Sequence, residues 1–429
     1  MSSEDTNSLI EQRKAKLTAL REKGIDPFKN KFTPDRACNE ARSGFESGAL
    51  PEGTKVSVAG RITAHREMGK SMFIDVRDQS GRIQVYAQKN VLGDEQWNIF
   101  THLDLGDFIG VTGTLFRTKT GEPSIKLESF TILAKALRPP PAKWHGLEDT
   151  EIRYRQRYLD LIGNPDVKDV FLKRSAIVHE IRQFFHSRGY VEVETPAMQA
   201  IPGGAAAQPF KTFHNALDCE FYLRIALELY HKRLLVGGID KLFEIGKNFR
   251  NEGLSRRHNP EFTMLEAYQA FGDYETMMET VESLIKHIAQ KVLGTLVIEF
   301  KDAEGKVKRT IDLTTWRRVK YNDLIKEKVS ADWFTISAAD RRQRAHDMGA
   351  EIGKEFEDFE VTNAVFSKFI EPTLINPTFV THLPKELVPL AKLSPDDPTT
   401  VEVFECCING QEISPGYTEQ NDPIQQRTT

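Results

Sequence analysis

FRNEGLSRRHNPEFTMLEAY, residues 249–268, is the most informative segment of this chain. The residues on either side of its polar centre, 241–249 and 261–270, favour β-structure, whereas residues 251–260 are rich in Arg, Asn and Gly. Two β-compatible runs separated by such residues predict an antiparallel hairpin, here with a long and basic tip.

The second arm of this hairpin should present two different faces, because successive side chains of a strand alternate. Alternation places Phe262, Glu266 and Tyr268 on one face. It turns Leu265 and Ala267 to the other face, toward a core.

Across the turn, Arg250 and Glu252 also share a face. An arginine beside an aromatic side chain is typical of a site for a phosphate group and a stacked purine. The alternative interpretation is a surface hairpin with an ordinary charged tip.

The segment closely resembles motif 2 of the class II aminoacyl-tRNA synthetases, in the wording of the bacterial-type lysyl-tRNA synthetases: FRNEG, then HNPEFTM, then Glu266 and Tyr268. Aspartyl and asparaginyl relatives usually carry a different ending to this motif. Four further segments are similar to the lysyl enzymes: 201–210, 215–238, 376–392 and 403–423. The resemblance implies a lysine–tRNA ligase, which activates L-lysine with ATP to lysyl-adenylate and transfers it to the 3′ end of tRNA(Lys).

The resemblance also implies an ATP site. Arg250 and His258 are its expected catalytic residues, since Arg250 would hold the α-phosphate and His258 the outer phosphates. Phe262 would stack on adenine, Glu252 would fix the adenine side, and Asn259 would complete the ATP-binding set. Such a reaction depends on positioning and on charge neutralisation more than on acid–base chemistry.

A lysine substrate brings two ammonium groups and one carboxylate, so its site needs carboxylates at both ends. By resemblance, Glu228 would hold the α-ammonium, with Gly204 allowing close approach of the backbone. Glu266, Tyr268 and Glu419 complete the expected lysine-binding set. An amino acid without the distal ammonium would leave Glu419 unpaired.

Glu405 and Glu412 match the magnesium-binding pair of the family. Paired carboxylates next to ATP phosphates are a typical magnesium environment, because this ion prefers oxygen ligands and keeps some of its water. Viewed without the resemblance, the two acids are more often ordinary surface charges.

From Val56 to Leu133 the sequence changes to five short β-patterned runs, with a helical stretch near 96–103 between the third and fourth. This order predicts an OB-fold barrel, a common reader of single-stranded nucleic acid. Four residues fall where the family places anticodon contacts: Arg66, Phe73, Gln84 and Glu122. Phe73 is the stacking candidate, and packing in the barrel core is its alternative, because alternation alone does not identify the solvent-facing side.

Residues 8–23 predict a helix, with Ser8 and Glu11 at capping-box spacing and Gly24 at its end. The helix carries five basic residues: Arg13, Lys14, Lys16, Arg21 and Lys23. They either form a solvated charged face or contact an RNA backbone.

The domain prediction is α+β: an N-terminal helical extension (1–50), an OB-fold barrel (51–137), a Pro-rich linker (138–150) and a class II catalytic domain on an antiparallel sheet with flanking helices (151–429). A helix over 166–188, followed by the strand YVEVET, resembles motif 1, the dimer-interface element of the family. The resemblance therefore implies a homodimer.

Composition limits the other possibilities. The 429 residues carry a net charge of −4, so contact with RNA must come from local basic surface. Four cysteines form no CxxC pair, which favours a reduced compartment, and no apolar run is long enough for a signal peptide or membrane span. We expect a cytoplasmic protein that does not bind a membrane.

Five positions depart from the usual pattern of the lysyl enzymes. Gln208 replaces an arginine, Leu227 a proline, Val388 a serine, Pro415 an asparagine and Gln420 a leucine. Pro415 offers neither a side-chain amide nor a backbone donor. These changes could alter substrate affinity or selectivity.

The sequence stops at Thr429, whereas the family continues to motif 3, a glycine-rich strand and helix with a second ATP-binding arginine. We expect a fragment of a longer gene product; the alternative is a natural product that does not bind ATP normally. In either case we expect the chain as given to be inactive for lack of motif 3. Two other functions stay open: a non-catalytic RNA-binding paralogue, and a lysine ligase acting on a protein, whose known members lack the barrel.

Overall fold

The computed structural model describes residues 3–140, 147–255 and 258–428. The chain divides into two compact units, Met1–Val170 and Phe171–Thr429. Part of the predicted linker, residues 141–146, and two arginines at the predicted hairpin tip, Arg256 and Arg257, lie outside the described residues.

The first unit begins with helices α1 (Ser3–Glu22) and α2 (Cys38–Glu46). Helix α1 starts five residues earlier than predicted, so Ser8 lies inside the helix and its assignment as a capping residue is wrong. Residues 3–7 contain no glycine or proline, and acidic residues favour a helix N-terminus, which explains the longer helix. Gly24, with a φ of 72°, follows its end as predicted.

The basic residues of α1 are not all solvated. Arg13 is only 8% exposed, and its guanidinium donates hydrogen bonds to the carbonyl oxygens of Ala136 (2.8 Å) and Arg138 (3.1 Å). Lys16 donates to Asp104 at 2.7 Å. These two cations hold α1 against the rest of the first unit.

A closed five-stranded barrel forms the centre of the first unit. Its elements are β1 (Lys55–Met68), β2 (Ser71–Arg77), β3 (Arg82–Gln88), α3 (Lys89–Thr101), β4 (Phe108–Arg117) and β5 (Pro123–Ala134). The strands are hydrogen-bonded in the order β1-β2-β3-β5-β4, and β4 pairs with β1 to close the barrel. The predicted OB-fold pattern is confirmed.

Alternate residues of the strands fill the barrel. Val56, Val58, Met72, Ile74 and Val85 are all buried in one apolar cluster. The side chains between them therefore lie on the outer surface of the barrel. Two short helices, α4 (Thr150–Arg155) and α5 (Arg157–Gly163), also belong to the first unit.

The second unit combines helices and several sheets. Its helices are α6 (Val167–Ser187, which begins before the division of the units), α7 (Glu228–Val236), α8 (Tyr274–Ile288), α9 (Tyr321–Lys328), α10 (Ala338–Asp347), α11 (Asp358–Val365) and α12 (Pro423–Thr428). Its strands are β6 (Val191–Glu192), β7 (Met198–Gln199), β8 (Lys211–His214), β9 (Cys219–Leu223), β10 (Lys241–Phe249), β11 (Glu261–Gln269), β12 (Val297–Lys301), β13 (Val307–Asp312), β14 (Arg317–Lys320), β15 (Thr378–Thr381), β16 (Val403–Ile408) and β17 (Gln411–Tyr417).

Two sheets position the site. One has the order β11-β10-β6 and the other β14-β15-β16-β17. Antiparallel pairing joins β10 to β11 and links β15, β16 and β17, whereas β6 pairs parallel with β10 and β14 parallel with β15. The predicted α+β class, with helices around antiparallel strands, is confirmed.

The elements that resemble motif 1 are present with different lengths. Helix α6 matches the prediction to within one residue at each end, but the predicted strand YVEVET is reduced to Val191 and Glu192. Only Leu242 and Phe243 of β10 pair with it. In the described part of the chain, no helix is both long enough and apolar enough to cross a membrane.

Candidate functional site

The hairpin β10–β11 forms the floor of the site. Its nine register pairs run without a shift and place Asn248 opposite Phe262 and Glu244 opposite Glu266. Leu265 and Ala267 pack against an apolar cluster, which confirms the predicted alternation. Phe262 and Glu266 consequently belong to the opposite face.

The structure brings Arg250 and Phe262 together. The guanidinium carbon of Arg250 lies 5.3 Å from the centroid of the Phe262 ring, and its Nε donates to the carbonyl oxygen of Ile225 at 3.4 Å. A cation and an aromatic face at this separation attract each other. Together they can receive a phosphate and a flat base.

The other residues predicted to bind ATP lie on the hairpin loop. Glu252 accepts a hydrogen bond from the backbone N–H of Gln208 at 3.2 Å. His258 is held by Ser255, whose hydroxyl lies 2.8 Å from His258 Nδ1. Asn259 is exposed at the tip. Gln208 contacts the hairpin through its backbone, so the change from arginine at this position keeps those contacts.

On this face of the hairpin lies an acidic cluster, which we define as Glu228, Glu266, Glu419, Tyr268 and Tyr417. Tyr268 donates to Glu266 at 3.1 Å, and the two remaining carboxylates face both tyrosines closely enough to act on their ionisation. Burial and these negative charges raise the pKa of both tyrosines far above the ordinary value. Both hydroxyls therefore stay protonated and can donate hydrogen bonds.

The carboxylates of the acidic cluster are partly desolvated. Burial raises the pKa of Glu266, although the backbone N–H of Leu227 lowers it by donating a hydrogen bond at 3.2 Å. Burial also raises the pKa of Glu419. Such carboxylates gain from a bound cation, because a paired charge costs less in a buried site.

Gly204 lies against this cluster. Its φ is 86°, and a Cβ built there would lie 3.0 Å from Glu228 Cβ and 3.1 Å from Ala226 Cβ. Glycine is therefore required both by the backbone conformation and by space. The absence of a side chain at residue 204 lets the backbone approach Glu228 closely.

Lys232 was not predicted as part of the site. It lies one helical turn after Glu228 on α7, and its Nζ is 2.6 Å from Glu228 Oε1 and 2.9 Å from Glu419 Oε2. The i,i+4 spacing of Glu228 and Lys232 could have predicted their contact, since such pairs meet on a helix surface.

Sequence reasoning also missed a buried ionic network next to the acidic cluster, around Glu244, which is opposite Glu266 in the hairpin. Glu244 accepts hydrogen bonds from Arg224 Nη1 (2.8 Å) and Thr195 Oγ1 (2.7 Å), and lies 3.0 Å from His231 Nε2. Burial opposes ionisation of Glu244, but its partners lower its pKa to about 2. The His231 ring meets the Tyr268 ring edge-on at 5.3 Å. The network therefore packs against the acidic cluster through His231.

The predicted metal pair lies on the second sheet, with Glu405 on β16 and Glu412 on β17. Burial and the charges of Glu412 and Glu371 raise the pKa of Glu405 to about 8, and burial also raises that of Glu412. Desolvated carboxylates that repel one another fit a hard cation. Among the described residues, no group of three or more His, Cys, Asp or Glu side chains is arranged to hold a metal ion by itself.

The remaining departures lie around these groups. Pro415 is opposite Glu405 in the β16–β17 ladder. Val388 packs against an apolar cluster of the second unit, and the backbone N–H of Gln420 donates to Leu390 at 3.0 Å. Lysyl enzymes usually carry asparagine, serine and leucine at these three positions. The contacts seen here do not require those side chains.

The predicted anticodon residues share the outer surface of the barrel. Phe73 is half-buried, opposite the inward-facing Met72 and Ile74, and stacks on Tyr86 with 4.6 Å between ring centroids. Tyr86 in turn meets Phe116 at 5.8 Å. The alternative that Phe73 fills the barrel core is wrong, because its neighbours Met72 and Ile74 are buried there instead.

The polar members of this set are already paired. Arg66 donates to Asp75 at 3.2 Å, and Gln84 accepts from Ser124 at 2.9 Å. Glu122 accepts from Arg42 at 2.8 Å. Any nucleic acid bound here would exchange these contacts for its own.

Comparison with known proteins agrees with this architecture. Residues 56–133 match the OB-fold nucleic acid binding domain, and residues 149–429 match the tRNA synthetases class II (D, K and N). A lysine–tRNA ligase of Carboxydothermus hydrogenoformans is 48% identical over 428 residues, which cover 100% of this chain and 86% of the relative. Those of Pelotomaculum thermopropionicum and Bacillus subtilis are 48% and 46% identical, with 99% of this chain and 83% and 85% of each relative covered. The chain belongs to the class II tRNA synthetase family that comprises the D, K and N enzymes.

Proposed function

We propose that the chain is a lysine–tRNA ligase, which uses ATP to activate L-lysine and transfers the lysyl group to tRNA(Lys). The observation that carries this proposal is the acidic cluster beside the Arg250–Phe262 pair. A substrate with two ammonium groups complements three carboxylates, and a nucleotide complements an arginine over an aromatic ring. The identity to lysine–tRNA ligases over the full chain supports the same substrate.

In this proposal the acidic cluster is the lysine site. Glu228 binds the α-ammonium, with Gly204 beside it, while Glu419 and Tyr268 meet the distal ammonium. Glu266 is fixed by Tyr268 and Leu227 and adds a third negative charge. The preference for lysine then follows from the pairing of its two ammonium groups with buried carboxylates.

Chemistry follows from positioning. The lysine carboxylate attacks the α-phosphorus of ATP, and pyrophosphate leaves; a terminal ribose hydroxyl of the tRNA then attacks the acyl carbon, and AMP leaves. Arg250 neutralises charge on the α-phosphate, Phe262 stacks on adenine, and His258 and Asn259 meet the outer phosphates from the loop. Glu252 orients the nucleotide on the adenine side.

Glu405 and Glu412 would hold a magnesium ion, whose chemistry is to neutralise the phosphates of ATP. In the barrel, Phe73 would stack on an anticodon base, with Arg66, Gln84 and Glu122 around it.

We also propose a domain division of 1–50, 51–137, 138–150 and 151–429, a cytoplasmic location, and a homodimer. The dimer proposal rests on resemblance of α6 to motif 1, and on the exposed Phe171 and Leu172 of that helix.

The test is amino-acid-dependent exchange of pyrophosphate into ATP, measured with each of the twenty amino acids on the chain extended through motif 3. We expect exchange with lysine alone. Exchange stimulated by another amino acid and not by lysine would contradict the proposal. A control variant, Glu228→Gln, should lose exchange and keep its fold, because only one oxygen is changed to an amide.

A further inference from the structure

The ammonium of Lys232 sits between two carboxylates of the acidic cluster. Its Nζ is 2.6 Å from Glu228 Oε1 and 2.9 Å from Glu419 Oε2, so one internal cation spans the two oxygens. The side chain cannot diffuse away, because it belongs to the same helix that begins at Glu228. It lies where an incoming ammonium group would find its partners.

The contact of Lys232 matters because it changes the net charge of the acidic cluster. The acidic cluster contains three carboxylates: Glu228 from α7, Glu266 from β11, and Glu419 from the segment after β17. The other titratable groups that face it are Tyr268 and Tyr417, which stay neutral, and His231 behind Tyr268. Lys232 offsets one negative charge, which leaves two for the two ammonium groups of lysine.

Lys232 is a persistent cation at this position. Burial opposes its charge, but the hydrogen bond to Glu228 and the ion pair with Glu419 raise its pKa above the ordinary value. Glu419 therefore has an internal partner in Lys232. This corrects the expectation that an amino acid without a distal ammonium leaves Glu419 unpaired.

We propose that Lys232 is a specificity-determining residue, whose ammonium stands in for the distal ammonium of the substrate at Glu419 and moves off this carboxylate when lysine binds. This inference rests on the proposed function. Lys232 competes with lysine for Glu419, which weakens lysine binding. It also lowers the penalty on norleucine, the amino acid of similar length without the distal ammonium, because Glu419 keeps its internal partner.

The test compares lysine and norleucine binding to the full chain by calorimetry at pH 8, for the unmodified protein and for Lys232→Met. Methionine keeps most of the length and removes the charge. We expect the ratio of the Kd for norleucine to the Kd for lysine to rise about tenfold or more, which corresponds to about 1.4 kcal/mol. Lys232→Arg is the matched control, since it keeps the cation, and should leave the ratio within about threefold of the unmodified protein.

A ratio in Lys232→Met that is unchanged or lower overturns the inference. If this variant unfolds in a thermal melt, Lys232→Gln takes its place with the same expected rise and the same contrary result. Failure of the proposed function looks different: the unmodified protein would then bind ATP and show no lysine binding at all. Lysine binding with an unmoved ratio overturns the role of Lys232 alone.

Discussion

The guanidinium of Arg250 lies over the ring of Phe262, with 5.3 Å between the guanidinium carbon and the ring centroid. Arg250 follows β10 directly and Phe262 lies near the start of β11, so the register of one hairpin fixes both. The proposed phosphate-binding charge and the proposed base-stacking surface are therefore positioned by the same backbone hydrogen bonds.

This pairing predicts different losses for the two side chains. Arg250→Lys keeps a positive charge but loses the planar fork, and should lower lysine-dependent pyrophosphate exchange at least about 100-fold. Phe262→Leu should raise the KM for ATP about tenfold, as expected for loss of about 1–3 kcal/mol of base stacking. Steady-state exchange kinetics measure both. Lysine affinity without ATP should stay within about twofold in Phe262→Leu; a tenfold loss there would place Phe262 in the lysine site.

Leu227 stands where lysyl enzymes usually carry proline, and its N–H donates to Glu266. Leu227→Pro removes this donor, so the pKa of Glu266, already raised by burial, should rise further. In the proposed lysine site, binding requires the ionised carboxylate of Glu266 and is therefore lost as pH falls through this pKa. We expect the loss to occur about one pH unit higher in Leu227→Pro, since a hydrogen bond to a charged group contributes about 1.5–3 kcal/mol.

Calorimetric titration with lysine between pH 5 and 9 measures this shift. Leu227→Ala keeps the N–H and should follow the unmodified protein. Identical pH profiles for the proline and alanine variants would mean that the Leu227 N–H does not act on Glu266.

Glu244 should contribute strongly to stability. Glu244→Gln leaves Arg224 and His231 without their carboxylate and should lower the free energy of unfolding by about 3–5 kcal/mol at pH 7. The folded-state pKa of Glu244 is about 2, below the unfolded value of about 4.3, so its contribution is complete above pH 4.5 and is lost as pH falls toward 2. The difference between the two proteins should therefore shrink across that range.

Urea denaturation at pH 7, 4.5 and 3.5 tests this prediction. Glu261→Gln is a suitable control, because Glu261 forms only an exposed pair with Lys247 and its loss should cost less than about 1 kcal/mol. A pH-independent difference for Glu244→Gln would show that Glu244 acts by packing and not by its charge.

Phe73→Ala should weaken tRNA binding about tenfold to 100-fold, because stacking of one base contributes about 1–3 kcal/mol. Lysine-dependent pyrophosphate exchange should stay near normal, since Phe73 belongs to the first unit and the lysine site to the second. Filter binding and exchange assays measure the two activities. Phe108→Ala is the matched control on the same barrel: Phe108 packs against Arg61, apart from the row formed by Phe73, Tyr86 and Phe116. Equal losses in both variants would point to damage of the barrel and not to a stacking surface.

Local pattern was sufficient for the barrel strands and the hairpin, because strand alternation and turn residues act over a few positions. It failed at the start of α1, since the pattern Ser8–Glu11 also fits inside a helix whose preceding residues continue it. The face of the strand on which Phe73 lies could be assigned only from the closed barrel, because the barrel interior is filled by the residues of the other face.

The sequence pattern did not predict contacts between residues that are far apart in the chain. The partners of Glu244 come from positions up to 49 residues away, and nothing in a linear pattern brings Thr195, Arg224 and His231 to one carboxylate. Lys232 is a different case: its contact with Glu228 follows from helix geometry, but its contact with Glu419 depends on the fold.

Gly204 has a further consequence for how this protein can vary. An alanine at 204 would need a strained backbone and would press its methyl group against Glu228. A saturation library selected for growth should therefore retain only the parental residue at 204. The exposed Gly253, with open space around its Cβ position and no positive φ, should accept many replacements. In the mutational profile of the chain, this part of the proposed substrate-binding site would then appear as a position that accepts no replacement.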